Sequence, residues 1–428
     1  MIAKREKGHC ALFLFVKKGL LLAAALGILL CSGCGNSSVS SLQWRFPLHL
    51  PAGSEPVWTK PYYEGLNDEQ KEAYREIYQL SDRLGTETIS LGNRLSAGEV
   101  REVLEAYYKD TPEHFWIVEG METFWMEGDN AFLELRYLFA DEASRSRAVD
   151  QMEAVLDRAL ASLRSNMDDF TKELTLHDWL IEQCVYDREA YETVLEERPI
   201  QGMEASFSAW GALVEGKAAC AGYARAMQLL LGAAGIPCSY LSGTGIDPDT
   251  GRSFTHAWNV VTIEGKSYHL DSTWNDQGTW LVQDGQYRFS GEGEHYISHR
   301  YFNQTDRQMA LDHQDFAFQG CNSTDANYFV RQGLVVSRLD EAEQAALVER
   351  LTRIGMEQEQ PLLELWAPKE VQTLFDKLVH PEDGMLYQCL KAANQQMRKK
   401  VFQEGQAVAW YQEESGIITI RALYEEEE

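Results

Sequence analysis

The sequence predicts an α+β fold, built as a central unit with a smaller helix-and-strand unit on each side. Three observations point there. Between Trp210 and Asp276 an apolar helix pattern gives way to two alternating strands. Residues 63–165 and 306–428 each mix helical and strand periodicities of their own. The length of 428 residues suggests two or three domains, with ample chain for a real core.

Composition narrows the function. Hydrophobic content of 44% and charged content of 25% are those of a globular protein. The formal net charge of −27 argues against nucleic acid as a partner, because phosphate binding needs a basic surface. It favours solubility and cationic partners, or simply a solvated acidic face.

At the N-terminus, Lys4, Arg5, Lys7, Lys17 and Lys18 precede an apolar run from Leu20 to Leu30. That is a basic region before an apolar stretch too short for a comfortable membrane span. Cys31-Ser-Gly-Cys34 and a polar Gly-Asn-Ser-Ser follow. The arrangement resembles a bacterial lipoprotein signal, although Cys31 stands where such signals usually carry leucine. The resemblance implies cleavage after Gly33 and lipidation of Cys34. Residues 1–33 are then the signal peptide, and the rest is exported and lipid-anchored to the outer face of a bacterial cell membrane. An uncleaved N-terminal anchor is the alternative.

Residues 34–62 carry Pro47, Pro51, Pro56 and Pro61 and read as a tether. Asn67 caps a helix to Leu84, and Thr86–Leu91 reads as a short strand. Ser96 with Glu99 is a capping-box signature for a helix to Tyr108. Phe115–Met121 and Ala131–Phe139 read as strands around a turn at 127–130, and Asp141 to Arg164 as a helix. Residues 63–165 thus form an N-terminal α+β domain. Thr171–Val185 begins the next unit as a helix, and the acidic Tyr186–Pro199 reads as irregular.

Cys220, Tyr223, Ala224, Met227, Leu230, Leu231 and Ala234 recur at helical spacing, so a helix starts at about Cys220. Gly235 closes it in the left-handed conformation, and Pro237 blocks its return. Cys220 then sits in the first turn, where unpaired N–H groups and the helix dipole favour a thiolate, the nucleophilic form. Trp210, ten residues earlier, is placed to line a substrate channel or simply to pack.

After a short strand at Ser239–Leu241, Gly243–Ser253 reads as a mobile loop facing substrate. His256–Ile263 and Lys266–Asp271 flank Glu264-Gly265, a hairpin signal. A two-residue loop pairs Ile263 with Lys266 and sets Trp258 opposite Asp271. His256 is then on the same face as Asp271 and diagonal to it, roughly 7–8 Å away at the backbone. A three-residue loop would send Asp271 to the other face. A catalytic role for the pair therefore requires the shorter loop. His269 shares the strand face of Asp271 and competes as the base.

A thiolate, a histidine base and a carboxylate that orients it satisfy the logic of a nucleophilic triad. Singly, each residue has a plain structural reading: buried thiol, core histidine, turn aspartate. His295 and His299, one helical turn apart, and His313 invite a metal reading. No zinc-hydrolase Glu pattern accompanies them, so neither metal nor cofactor is expected. Cys184, Cys238, Cys321 and Cys389 have no paired spacing and are expected as buried free thiols.

The remaining segment reads as strand at Tyr328–Ser337, helix at Glu341–Ile354 and strand at Pro361–Trp366. Helices at 369–379 and 386–399 and strands at 407–411 and 417–423 follow. A ferredoxin-like βαββαβ variant, with helices on one side of a sheet, is the expectation for this binding or stabilising domain.

GKAACAGYARAMQLLLGAAGIPC and THAWNVVTIEGKSYHLDSTWND resemble the core of the transglutaminase-like superfamily, as does the later Tyr301-Phe302-Asn303. The resemblance implies a papain-like α+β fold over the catalytic domain, 166–305; the small α+β domain at 306–428 lies beyond the resemblance. It places the catalytic triad on Cys220, His256 and Asp271. Members include protein cross-linkers, peptidases, amidases and copies that have lost activity. The expected chemistry is acyl transfer at amide bonds of a peptide or protein substrate through a thioester, most simply hydrolysis. Cross-linking to a lysine-like amine is one alternative, and a catalytically silent surface binding module is the other.

Overall fold

The computed structural model describes residues 60–425, apart from 93–94, 197, 247–250, 284–285, 291–294, 358–359 and 381–383. The expected signal peptide, Cys34 and the tether as far as residue 59 lie outside the described residues. Among those described, no helix is long and apolar enough to cross a membrane.

Capping boxes start the N-terminal helices. Asn67 accepts from Gln70 N at 2.9 Å, and the Gln70 side chain returns to Asn67 N at 3.0 Å, opening Asp68–Asp82. Ser96 and Glu99 do the same for Ala97–Asp110, and Asp141 caps Glu142–Leu160. A three-stranded antiparallel sheet sets Asn130–Glu134 between Ile89–Gly92 and Thr123–Glu127. The strand expected at 115–121 is absent. Phe115, Trp116, Ile117 and Val118 are all buried, and a run buried on every side forms an inner wall instead of an alternating strand.

Tyr74, Tyr107 and Trp116 of this region share one continuous apolar core with Tyr223, Met227 and Leu230 of the helix Cys220–Ala233. Every residue from Gly222 to Ala233 is buried. Burial of each leucine there contributes about 1.5–3 kcal/mol. The N-terminal region thus holds the Cys220 helix in place.

That helix lies on a four-stranded antiparallel sheet. Its strands run in the order His313–Gln314, Cys238–Ile246, Ser253–Ile263, Lys266–Leu270. Gly243 to Ile246, expected in a loop, belong to the second strand; residues 247–250 lie outside the described residues. The acidic stretch expected to be irregular contains a helix, Arg188–Leu195. Asp187 caps it by accepting from Ala190 N at 3.1 Å, and Ala190, Tyr191 and Val194 bury one face.

Residues beyond 329 build a second, separate apolar core. Its sheet places Ile417–Tyr424 between Leu362–Trp366 and Phe402–Gln412. The three strands, with two consecutive helices (Val371–Val379 and Met385–Met397) between the first and second, do not make a ferredoxin-like βαββαβ. The strand expected from Tyr328 is instead a helical turn, Tyr328–Arg331, because Asn327 caps it through Phe329 N at 3.1 Å.

Candidate active site

The position of Cys220 follows from its helix. Ala219 is the N-cap residue and supplies no side-chain acceptor; its carbonyl takes Gly222 N at 2.9 Å and Tyr223 N at 3.1 Å, not the N–H of Cys220. Gly235 has φ +82° and ends the helix as expected. Gly222 is required by a close approach. A Cβ there would stand 2.6 Å from Ser206 O and 2.7 Å from the Ala218 Cβ. Ala219 N also donates to Ser206 O at 2.8 Å, so the 204–208 segment is clamped against the start of the helix. Cys220 is the one half-exposed cysteine among five described free cysteines; the other four are buried.

The hairpin has the shorter loop. Ile263 pairs with Lys266, and Glu264 and Gly265 both have positive φ, +51° and +75°. His256 and Asp271 accordingly share a face, with His256 Nε2 2.7 Å from Asp271 Oδ2. Both side chains are fully buried. Asp271 also caps the turn Ser272–Asn275: its Oδ1 accepts from Thr273 N at 3.0 Å and Trp274 N at 3.1 Å. One carboxylate oxygen is therefore fixed by backbone, and the other faces imidazole. Asp271 N donates to Tyr301 O at 3.1 Å, which ties the 301–303 segment to the site.

The electrostatics are those of an ion pair. Burial alone would lower the His256 pKa, but the Asp271 charge and hydrogen bond, with the Cys220 thiol, raise it to about 10. Burial alone would raise Asp271; the charge and hydrogen bonds of His256 and His313 hold it well below the usual carboxylate range. With Nε2 on Asp271, Nδ1 is the ring nitrogen left for Cys220. It makes no hydrogen bond of ordinary geometry, although the thiol is near enough to act on the ring. Such contacts are often long without substrate and tighten in the reacting complex.

His313 is the participant that sequence reasoning missed. The sequence offers it only as a metal-ligand candidate, and no local pattern marks it beyond the Asp312-His313 doublet. Its strand lies against Gly243, where a Cβ would come 2.5 Å from Gln314 O and 2.8 Å from the Trp258 ring. His313 Nε2 stands 3.2 Å from Asp271 Oδ2, and Nδ1 2.7 Å from Asp312 Oδ1. Arg300 and Tyr301 donate to Asp312 Oδ2 at 2.8 Å and 2.7 Å. Burial would raise Asp312, but Arg300 and His313 hold it low. Each His313 ring nitrogen thus faces a carboxylate oxygen, one of Asp271 and one of Asp312. His313→Leu is expected to change the pH profile of Cys220 alkylation by iodoacetamide, because it removes a hydrogen bond to a charged group. Asp271, less stabilised, would grip the His256 proton harder and move the alkaline limb of that rate upward. His313→Gln, which keeps a donor, should return the limb to near its native place; a purely packing role would leave the limb unmoved in both variants.

The other candidates are placed elsewhere. His269 Nδ1 accepts from Trp258 Nε1 at 3.1 Å, and its Nε2 meets Asp306 Oδ1 at 2.9 Å. It aligns Trp258 and is not the base on Asp271. Trp210 is 7% exposed, stacked on Phe115 and edge-on to Phe139, with Nε1 donating to Glu215 Oε1 at 2.9 Å. Its packing partners place it in the core shared with the N-terminal region, not in a channel wall. The helical pairing of His295 with His299 is also corrected: 295–297 is a strand. His299 stacks on Tyr328 and bonds Asp178 Oδ1 at 2.9 Å. Among the described residues, three groupings have metal-ligand types close together: His177–Asp178–His299, His256–Asp271–His313 and His269–Asp306–Cys321. In each, imidazole nitrogens are already engaged by carboxylates at 2.7–3.2 Å. In the third, the Trp258 donor forces the ring proton onto Nε2, the nitrogen a metal would need.

Residues 158–284 match the family model of the transglutaminase-like superfamily. Kyphoscoliosis peptidase of Mus musculus is 28% identical over 165 residues, covering 37% of this chain and 23% of that protein. Kyphoscoliosis peptidase of Homo sapiens is 39% identical over 72 residues, covering 15% of this chain and 10% of that protein. The chain thus spans a quarter or less of the length of these relatives. A crystal structure of a TGase aligns at 12% identity and a TM-score of 0.27, over 47% of this chain and 52% of that one. On its sequence motifs, its site and the family match together, residues 158–284 of the chain form a transglutaminase-like domain.

Proposed function

We propose that this chain is a cysteine acyl-transfer enzyme that cleaves amide bonds of peptides or proteins. The observation that carries this reading is a half-exposed Cys220 against a fully buried His256–Asp271 pair. His256 takes the Cys220 proton, and the sulfur attacks the amide carbonyl carbon. The backbone N–H of Cys220 is one donor available to the oxyanion. The C–N bond breaks as His256 returns the proton to the leaving amine, which leaves a thioester. Water, deprotonated by His256, then releases the acid and restores the thiol. Asp271 keeps the imidazole oriented and balances its charge throughout. Anchoring through a lipid on Cys34 at the outer face of a bacterial membrane is part of the proposal, on the sequence pattern alone.

The acceptor separates hydrolysis from cross-linking, since the thioester is common to both. The test incubates the full chain with a peptide mixture and a labelled primary amine, then reads products by mass spectrometry. New carboxyl ends without label are expected. Incorporation of the amine in place of water would make the chain a cross-linker, and neither product would favour a silent binding module.

A further inference from the structure

A cavity of about 180 Å³ lies beside the start of the Cys220 helix. Ala221, the residue after the nucleophile, and Arg225, one turn on, form one wall; Phe207 and Ser208 of the clamped segment form another. The N-terminal region adds Tyr108, Phe115, Ile117 and Val118 to the lining. Apolar cavities of about 150 Å³ accept a benzene ring, so this one has room for a phenyl group or a leucine side chain.

The polar groups at the cavity do not invite a charged ligand. Arg225 pairs with the Glu119 carboxylate, donates to Phe207 O, and lies over the Tyr240 ring at 5.0 Å. Its charge is spent inside the protein. Glu119 and Glu204 also line the cavity and would repel an acidic side chain. Tyr240 connects the cavity to the chemistry: Cys220 packs against the small cluster of Ala224, Tyr240 and Ala257.

We infer that the N-terminal region supplies one wall of a pocket beside Cys220 that binds a neutral apolar side chain, phenylalanine- or leucine-sized, of the peptide substrate. As a substrate subsite, the pocket rests on Cys220 being the nucleophile. It gives the N-terminal region a role in selectivity as well as support.

The test uses the full chain and four peptide vinyl sulfones that differ in one side chain: phenylalanine, leucine, glycine or aspartate. The alkylation rate of Cys220 is read by peptide mapping and divided by the iodoacetamide rate of the same protein. Phenylalanine and leucine reagents should react at least tenfold faster than the other two. Val118→Trp, from the N-terminal wall, and Val194→Phe, from the helix Arg188–Leu195, should each collapse that ratio to within threefold. Two variants guard against one failing to fold. A second readout needs no thiol: with Cys220→Ala, an N-acylphenylalanine amide should shift the methyl resonances of Ile117 and Val118. Equal rates for all four reagents, or a preference untouched by both fillings, would overturn the pocket. Methyl shifts with an inert Cys220 would overturn the acyl-transfer reading and leave the pocket standing as a binding site.

Discussion

Cys220→Ala is expected to abolish amide cleavage and all labelling at that position while leaving the fold intact. The residue is half-exposed in the first turn of its helix, and alanine is the better helix former, so stability should change by less than about 1 kcal/mol. The remaining described thiols cannot substitute. Burial pushes Cys184 and Cys389 up to about 12, and Cys238 and Cys321 well above the ordinary thiol range. Peptide mapping separates Cys220 from Cys10, Cys31 and Cys34. Turnover that survives the substitution would place the nucleophile elsewhere.

Asp271→Asn is expected to lower kcat by about three to four orders of magnitude, the size of effect seen when a triad carboxylate becomes an amide. The reason is visible at the oxygen that does not face imidazole. Thr273 N and Trp274 N both donate to Oδ1. An asparagine must keep its carbonyl oxygen there, which turns its amide N–H groups toward His256 and His313. A donor facing Nε2 forces the His256 proton onto Nδ1, the nitrogen that has to accept from Cys220. The pH response should change with it. The His256 pKa is raised, to about 10, chiefly against its own burial by Asp271, so the alkaline limb belongs near pH 10 in the native protein and far lower in the variant. Stability follows the same linkage. Asp271 is lowered, so its contribution is present above about pH 4 and lost as pH falls further. His256 is raised, so its contribution is full below about pH 6.5 and fades as pH rises through about 10. The stability gap between native protein and variant should therefore be widest between those two reference values. An unchanged limb would mean that Asp271 does not control His256.

What the sequence makes legible is what short windows encode. The helix start at Cys220, its stop at Gly235 and the two-residue hairpin loop each depend on a dozen residues or fewer, and that loop alone decides whether His256 and Asp271 share a face. What it conceals depends on distant approach. His313 stands 42 residues beyond Asp271 and reaches it through a two-residue strand beside Gly243. Trp210 was placed by its nearness to Cys220 in the chain, while Phe115 and Phe139, from another region, decide its packing. Phe115–Val118 has strand-forming residues, but burial on every side made it a wall. Tyr328 was read by β propensity, and the neighbouring Asn327 cap won.

The most direct measurement is capture of the covalent intermediate. The full chain is mixed with an excess of a peptide amide or ester, quenched in acid within milliseconds to seconds, digested and mapped by mass spectrometry. The peptide containing Cys220 should carry the acyl mass in the native protein and lose it in His256→Ala. An acyl group on any other residue, or none while cleavage proceeds, would contradict a thioester formed at Cys220 with His256 as its base.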